Sequence, residues 1–302
     1  MKILVTGGAG FIGSHLTDKL IRDGHKVIVV DNLSTGRKEN LNRKAKFYRV
    51  DICSPELDHI FKKEKPQVVF HFAAQIDVRK SVEDPIADAK INILGSLNLL
   101  ENCRKSRVKK FVFASSVGVY GEPQSLPVKE SHLLNPISPY PITKLTIEKY
   151  LQYYERQGLK SVSLRFPNVY GPRQIGTGEG GVAAIFIDKV LKNKRPVVFG
   201  DGQQTRDFVY VADVVQAAVR AMRSPLSGIY NIGTNKEVTI SNLLRFICLA
   251  LGRDIEPVFK PSRLGEIMRS RSDYSRAKKE LKWQPKYDLS KGLKETISWT
   301  IF

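Results

Sequence analysis

The first sixteen residues, MKILVTGGAGFIGSHL, constrain this chain more than any other stretch. Ile3, Leu4 and Val5 form an apolar run too short for a helix and rich in β-branched residues, which predicts a buried strand. Residues 6–13 then read TGGAGFIG and lead into a helical pattern with Leu16 and Leu20 on one face. Two glycine spacings fit at once: Gly8, Gly10 and Gly13 give GxGxxG, while Gly7, Gly10 and Gly13 give GxxGxxG. In either, one glycine permits a tight turn and another lets a pyrophosphate approach the backbone. The last lets the helix pack against the strand, its N-terminal N–H groups facing the phosphates. A second apolar run over 27–30 ends in Asp31, where a carboxylate would accept hydrogen bonds from an adenosine ribose. Strand, glycines, helix and acid in this order favour a dinucleotide site over a turn without a ligand.

The alternation continues. Apolar runs at 47–50, 68–72, 111–114 and 161–166 read as strands, with helical patterns over 57–61 and 84–107 between them. That order predicts an α/β fold with a parallel, doubly wound Rossmann sheet. Asp51-Ile52 follows the third strand and either flanks an adenine ring or caps a strand end. Ala73 and Ala74 follow the fourth, where small residues suit close approach by a cofactor. His71, set among apolar residues, reads as a packed strand residue and not as a catalyst. In the 84–107 helix, Ile86, Ile93, Leu97 and Leu100 are spaced for one face, and Asn92 interrupts it with a side chain for backbone, water or cofactor. Beyond residue 166 the pattern is less regular. Short strands (197–199, 208–211, 230–232) mix with helices (182–191, 213–222, 240–251), and the tail ends in a helix carrying Leu293, Ile297 and Ile301. The expected organisation is a nucleotide-binding domain over 1–166, with returning segments near 207–232, and a smaller, interleaved C-terminal substrate lobe formed mainly by 167–302.

Composition bounds the partners. No apolar run approaches the roughly 20 residues needed to cross a bilayer, and the chain starts directly on a strand, so no membrane segment or leader is expected. Cys53, Cys103 and Cys248 are isolated and show no metal-ligand spacing, which predicts a reduced, cytoplasmic protein without a metal site. The net charge of +19 is spread along the chain with no long basic run. A general attraction for small anions is therefore favoured over a nucleic-acid surface.

Tyr140 and Lys144 stand four apart in SPYPITKL, with Pro141 suited to a first helical turn, so both side chains project from one face. An ammonium beside the phenol favours the phenolate, making Tyr140 a candidate general base. By itself this pair is common in helices. Ser116, at the end of the preceding strand, completes it with a hydroxyl for the substrate oxygen that loses its proton.

With these residues in view, the chain resembles the extended short-chain dehydrogenases/reductases, and within them the NAD-dependent epimerase/dehydratase family, over essentially its whole length. The resemblance implies bound NAD, held by Gly7, Gly10, Phe11, Ile12 and Gly13 and by the ribose stretch Asp31, Asn32, Ser34, Thr35 and Gly36. Asp51 and Ile52 fall on the adenine side; Phe72, Ala73, Ala74, Gln75, Asn92, Ser115, Tyr140, Lys144 and Pro167 complete the cofactor set. Ser116, Tyr140 and Lys144 match the family's triad. A UDP-sugar is implied as substrate, with Asn168 and Arg206 on the diphosphate, Arg263 supporting it and Glu266 on the ribose. Val182, Phe199 and Ser270 join Ser116 and Tyr140 among its expected contacts. Ser270 falls where epimerases restricted to plain hexoses carry a bulky Tyr, so an N-acetyl group would fit unless Arg269 or Arg271 fills the space. Pro141 replaces a common Gly and Ala114 a common Ser, neither a reacting group. No carboxylate lies between Ser116 and Gly121, where dehydratases carry an acidic pair. The implied reaction is 4-epimerisation through a transient 4-keto sugar, in a homodimer built on a four-helix bundle. A nucleotide-sugar reductase, decarboxylase or uronate epimerase is the nearest alternative. A nonenzymatic NAD- or RNA-binding relative is disfavoured by the intact triad.

Overall fold

The computed structural model describes residues 1–176, 181–262 and 267–301. It divides into two compact units. The first comprises Met1–Val119, Pro136–Arg165 and Val215–Tyr230; the second comprises Tyr120–Asn135, Phe166–Val214 and Asn231–Phe302.

In chain order the first unit opens with β1 (Lys2–Thr6), α1 (Phe11–Arg22), β2 (Lys26–Val30) and β3 (Lys46–Tyr48). Next come α2 (Glu56–Glu64), β4 (Val68–His71), α3 (Val78–Glu83) and α4 (Pro85–Ala89). A π-helical segment, Lys90–Gly95, runs into α5 (Ser96–Lys105), followed by β5 (Lys110–Ser116), α6 (Pro139–Arg156) and β6 (Lys160–Phe166). The remainder holds β7 (Asn168–Tyr170), α7 (Val182–Leu191), β8 (Val197–Phe199), β9 (Thr205–Arg206), β10 (Phe208–Tyr210), α8 (Val211–Arg223) and β11 (Gly228–Asn231). It ends with β12 (Val238–Thr239), α9 (Ile240–Leu251), β13 (Val258–Lys260), α10 (Ser275–Glu280) and α11 (Leu289–Ile301).

Seven strands form one sheet in the order β11-β6-β5-β4-β1-β2-β3. β1 pairs in parallel with β2 and with β4, β2 with β3, and β4 with β5. The chain works outward from β1 to β3, then crosses back to β4, so the strand order reverses between β1 and β4. Ligands of such sheets bind outside the strand ends at that reversal. The inner strands are apolar almost throughout because helices cover both faces. One core cluster joins Leu4, Ile28, Val69, Phe111 and Phe113 of the sheet to Ile60, Leu99, Ile147 and Leu151 of the helices. No helix among the described residues is long and apolar enough to cross a membrane.

The single helix expected over 84–107 is instead α4, a π segment and α5. An extra residue in the π turn rotates the stripe on one side of it relative to the other. Ile86 is consequently 81% exposed while Leu100 is fully buried, and Ile93 and Leu97 pack on the core. Those four residues do not share one face. α3 has no counterpart in the pattern read from the sequence; Asp77 caps it, accepting from Arg79 N at 2.7 Å and Lys80 N at 3.4 Å. In the second unit, β7 and β10 pair in parallel, with Phe208 opposite Asn168.

Candidate active site

The ends of β5, β4, β1 and β2 lie side by side and, at roughly 5 Å between strands, span about 15 Å of sheet edge. Gly7 follows β1 with φ of +70°, and a Cβ there would stand 2.6 Å from Ala73 N beyond β4. Any side chain on Gly13 would strike the Gly7 carbonyl, so Gly13 is what lets α1 start against the turn. Gly8 is constrained from another side, since its Cβ would press on Val29 at 2.7 Å. Gly7, Gly8 and Gly13 thus each exclude a side chain, so both glycine spacings stand, and Phe11 and Ile12 lie in the first turn of α1.

Asp31 follows β2 and is 6% exposed. Its carboxylate accepts from Ala9 N in the glycine turn at 3.0 Å and from Leu33 N at 2.8 Å. About two of its four acceptor sites remain for a ribose diol. Gly36 closes in beside it: a Cβ there would lie 2.9 Å from an Asp31 carboxylate oxygen. Ser34 N–H turns back to Asn32 Oδ1, and Thr35 follows on the exposed stretch. Asn32 Nδ2 donates to Asp51 at 2.7 Å, and Cys53 N–H to the same carboxylate at 2.8 Å. Burial opposes the Asp51 charge, but these bonds outweigh it and hold its pKa below the usual value. The Ile52 side chain belongs to the core and packs against Gly95. A cradle that admits no Cβ beside a buried, half-used carboxylate fits an adenine dinucleotide.

A hydrogen-bonded chain underlies this edge. Phe72 and Ala73 N–H groups donate to Thr6 Oγ1, at 3.3 and 3.2 Å. Thr6 Oγ1 stands 2.8 Å from His71 Nδ1, and His71 Nε2 2.8 Å from Ser96 Oγ, which itself donates to Asn92 O. With the Ser96 proton committed, Nε2 must donate and Nδ1 accept. His71 is thus locked neutral, and burial, followed by the Lys144 charge, pushes its pKa down to about 3. It is a packed strand residue, as the sequence indicates. Asn92, in the π turn, clasps the Gln75 backbone on both sides, accepting from its N–H at 2.9 Å and donating to its C=O at 3.0 Å. Asp88, fully buried, accepts from Asn92, Gln75 Nε2 and Thr143 on α6. Ala74 lies between the Thr6 contacts and this clasp.

Tyr140 and Lys144 stand on α6, which begins with Pro139 and Pro141 in its first turn. Tyr140 is half-buried and faces Ser116, whose hydroxyl favours the phenolate and whose Oγ accepts from Gly118 N–H at 3.1 Å. Lys144 is 4% exposed and donates from Nζ to Ala114 O at 2.8 Å. Nζ lies 4.8 Å from the Phe113 ring centre and 5.7 Å from that of Tyr140. All three predicted triad residues are therefore brought together. Their electrostatics differ from expectation. Burial, then the Asp88 charge, pushes Tyr140 up to about 12 against the lowering effect of the Ser116 hydroxyl, and burial pushes Lys144 down to about 8. The lysine alone does not bring the phenol into a base's range, because desolvation opposes the phenolate and the ammonium alike.

Ser115, expected at the cofactor, is 3% exposed and donates instead to Glu148 at 2.6 Å. Glu148 and Arg165, both 1% exposed, form a two-point ion pair at 2.9 and 2.6 Å. Neither is among the residues expected from the sequence. Glu148 lies one turn beyond Lys144 on the same helix stripe, a signal available in the sequence, whereas nothing there marks Arg165.

Within the second unit, Pro167 precedes Asn168, whose N–H donates to Asp207 O at 3.0 Å. Arg206 stands two residues before Phe208, the strand partner of Asn168, but on β9, which pairs with β12 in a separate two-stranded sheet. Arg206 Nη1 donates to Thr205 O and Ile267 O, each at 2.8 Å. Val182 opens α7, and Phe199 ends β8 with its carbonyl accepting from Gln204. Ser270 is half-buried and donates its N–H to Thr205 Oγ1 at 3.4 Å. Arg269 grips Glu237 at 3.0 and 2.8 Å, and Arg271 lies 4.0 Å from the same carboxylate. Arg263 and Glu266 lie outside the described residues.

The model of the NAD dependent epimerase/dehydratase family matches residues 3–233. The chain is 44% identical over 308 residues to a UDP-glucose 4-epimerase of Mycolicibacterium smegmatis, covering 99% of this chain and 98% of that one. A crystal structure of a UDP-glucose 4-epimerase from Thermotoga maritima with UDP-glucose superposes with a TM-score of 0.98 at 49% identity, covering 100% of this chain and 99% of that one. A UDP-N-acetylglucosamine 4-epimerase from Methanobrevibacter ruminantium, in complex with UDP-N-acetylmuramic acid, gives a TM-score of 0.95 at 38% identity, covering 99% and 98%. With the glycine turn, Asp31 and the Ser116, Tyr140, Lys144 cluster in place, this chain belongs to the NAD dependent epimerase/dehydratase family.

Proposed function

We propose that the protein is an NAD-dependent 4-epimerase of UDP-sugars, interconverting UDP-glucose and UDP-galactose. The observation that carries this reading is the convergence of Ser116, Tyr140 and Lys144 at the end of β5, with Lys144 donating to Ala114 O, at the same sheet edge as the glycine cradle. Gly7, Gly10, Gly13 and Asp31 hold the dinucleotide, with Asn32, Ser34, Thr35, Gly36 and Asp51 on its adenosine side. When bound there, NAD would supply reversible hydride acceptance at C4 of the sugar. Tyr140 takes the proton of the 4-hydroxyl, and Ser116 holds that oxygen by its hydroxyl. Lys144 offsets the charge of the phenolate that Tyr140 must carry before it accepts that proton. Asn168 and Arg206, with Arg263 and Glu266, are assigned to the nucleoside diphosphate; Arg suits phosphate because its donors are paired and planar. Binding energy is then gathered away from C4, leaving the 4-keto sugar free to turn over.

Asp31 repels a 2′-phosphate, so the cofactor released on denaturation is expected to be NAD(H) and not NADP(H). The free thiols Cys53, Cys103 and Cys248 support a reducing, cytoplasmic setting. Exposed apolar side chains on α3, α4 and α6 support a homodimer. The reaction is tested by incubating the protein with UDP-glucose, UDP-N-acetylglucosamine and UDP-glucuronate and resolving the products. Galacto-configured UDP-hexose is expected. Release of carbon dioxide from the uronate, with no epimer formed, would assign the chain to the decarboxylases.

A further inference from the structure

Tyr140, Lys144 and Glu148 follow one another at successive turns of α6, on one stripe. Each meets one of the last three residues of β5. Tyr140 faces the Ser116 hydroxyl, Lys144 donates to the Ala114 carbonyl at 2.8 Å and Glu148 accepts from the Ser115 hydroxyl at 2.6 Å. The first two contacts belong to the catalytic group; the third has no chemical role in the reaction. Arg165, from the neighbouring β6, fixes the plane of the Glu148 carboxylate by donating from Nε to one oxygen and from Nη2 to the other. That leaves the first oxygen aimed at Ser115. A buried ion pair adds little net stability, because desolvation cancels much of its attraction, but its direction is sharply defined.

We propose that Glu148, held by Arg165, is a positioning residue for catalysis: through Ser115 it fixes where the end of β5 presents Ser116 to Tyr140. The inference rests on the epimerase reading above. Ser116 is a short side chain with its oxygen already engaged by Gly118 N–H, so its own proton reaches Tyr140 or the sugar only if its backbone is correctly placed. Lys144 anchors the residue two before it, and Glu148 the residue immediately before. Misplacement by about 1 Å can cost on the order of 100-fold in rate.

Ser115→Ala tests this without leaving an unpaired buried charge, since Glu148 and Arg165 keep each other. Epimerisation of UDP-glucose is measured across pH together with KM and Tm. Wild-type turnover, abolished in Tyr140→Phe, establishes the underlying reading; a wild type inactive on every UDP-sugar defeats that reading and is separate from the result for Ser115. Ser115→Ala is expected to lower kcat about tenfold, with KM within about twofold and Tm little changed. The rising limb of kcat against pH is expected to move to higher pH. A Ser116 hydroxyl displaced from Tyr140 favours the phenolate less, while Asp88 and Lys144, the charged groups facing Tyr140, are untouched. Ser115→Thr, which restores the hydroxyl, is expected to recover most of the rate. Wild-type kcat and an unmoved limb in Ser115→Ala overturn the proposal. So does an equal loss in Ser115→Ala and Ser115→Thr, which would make side-chain volume, not the bond to Glu148, the controlling feature.

Discussion

Tyr140 sits in a pocket that works against its own ionisation, and this sets the terms of its chemistry. Burial and Asp88 hold the phenol near 12, while Lys144 is held near 8. A cationic ring bound beside them would favour the phenolate, so base strength is gained with the cofactor and not before it. Tyr140→Phe keeps the shape and removes the proton acceptor, so kcat is expected to fall by a factor of roughly 10² to 10⁴ with NAD still bound. Near-normal turnover would place the base elsewhere. Ser270 bears on which sugar is taken. Arg269 is tied to Glu237 by two hydrogen bonds, and Arg271 Nε lies 4.0 Å from the same carboxylate. One extra group in a pocket is usually worth about 1–3 kcal/mol, or 10- to 200-fold in discrimination. Activity on UDP-N-acetylglucosamine is therefore expected within about tenfold of that on UDP-glucose, and Ser270→Tyr is expected to depress the former selectively. Comparing kcat/KM for both sugars in both proteins decides it; equal losses would move the gate away from Ser270.

Elements explain what is and is not legible in the sequence. The strands of the large sheet are readable because two covered faces demand unbroken apolar runs, and the glycine turn because its spacing is dictated by contacts a Cβ would violate. The strands of two or three residues at 168–170 and 205–206 carry too little pattern to be seen. The π turn escapes because periodicity assumes a constant twist, and Asn92 and Ser96 are positioned by its departure from that twist. Glu148 shares the stripe of Tyr140 and Lys144, which the sequence shows, but the partner on β6 that fixes it, seventeen positions on, leaves no pattern to read. His71 ties the sheet to the helix that carries Ser96, and it makes the tie sensitive to acid. Its folded pKa of about 3 lies below the ordinary 6.5. Above pH 6.5 both states are neutral and it contributes no slope. Below, the unfolded chain gains a proton that the folded one refuses, so stability falls by about 1.4 kcal/mol per pH unit until about pH 3. In urea titrations near pH 5, His71→Gln is expected to remove a slope of this size, although it is less stable at pH 7. An unchanged slope would mean that His71 protonates in the folded state.

At the scale of the whole molecule, the first unit leaves one helical surface uncovered. Val82 on α3 is 61% exposed, Ile86 on α4 81%, Leu94 in the π turn 59% and Tyr153 on α6 54%. Ile142 and Tyr150 on α6 are exposed as well. α3, α4 and the π turn all pack on α6, so these side chains stand on neighbouring ridges rather than scattered. A monomer seldom leaves more than a few hundred Å² of continuous apolar surface in water. Ile142, Tyr150 and Tyr153 fall near successive turns of α6, the spacing that packs one helix pair against another. A second copy related by a two-fold axis would cover α6 with the continuous α4–π–α5 run of its partner and reciprocally, giving four helical rods around one seam. A stable interface of this kind buries about 1,600 Å² in total, and its apolar centre carries most of the affinity. Light scattering at micromolar concentration is expected to give twice the chain's 34.0 kDa. Ile86→Asp combined with Tyr153→Asp puts charges in the seam without touching the core, since both side chains are largely exposed in the isolated chain. That double variant is expected to be a folded monomer with unchanged far-UV circular dichroism. A wild type already monomeric at these concentrations, or a double variant that stays dimeric, would show that the exposed ridges of α3, α4 and α6 are not the surface on which two copies meet.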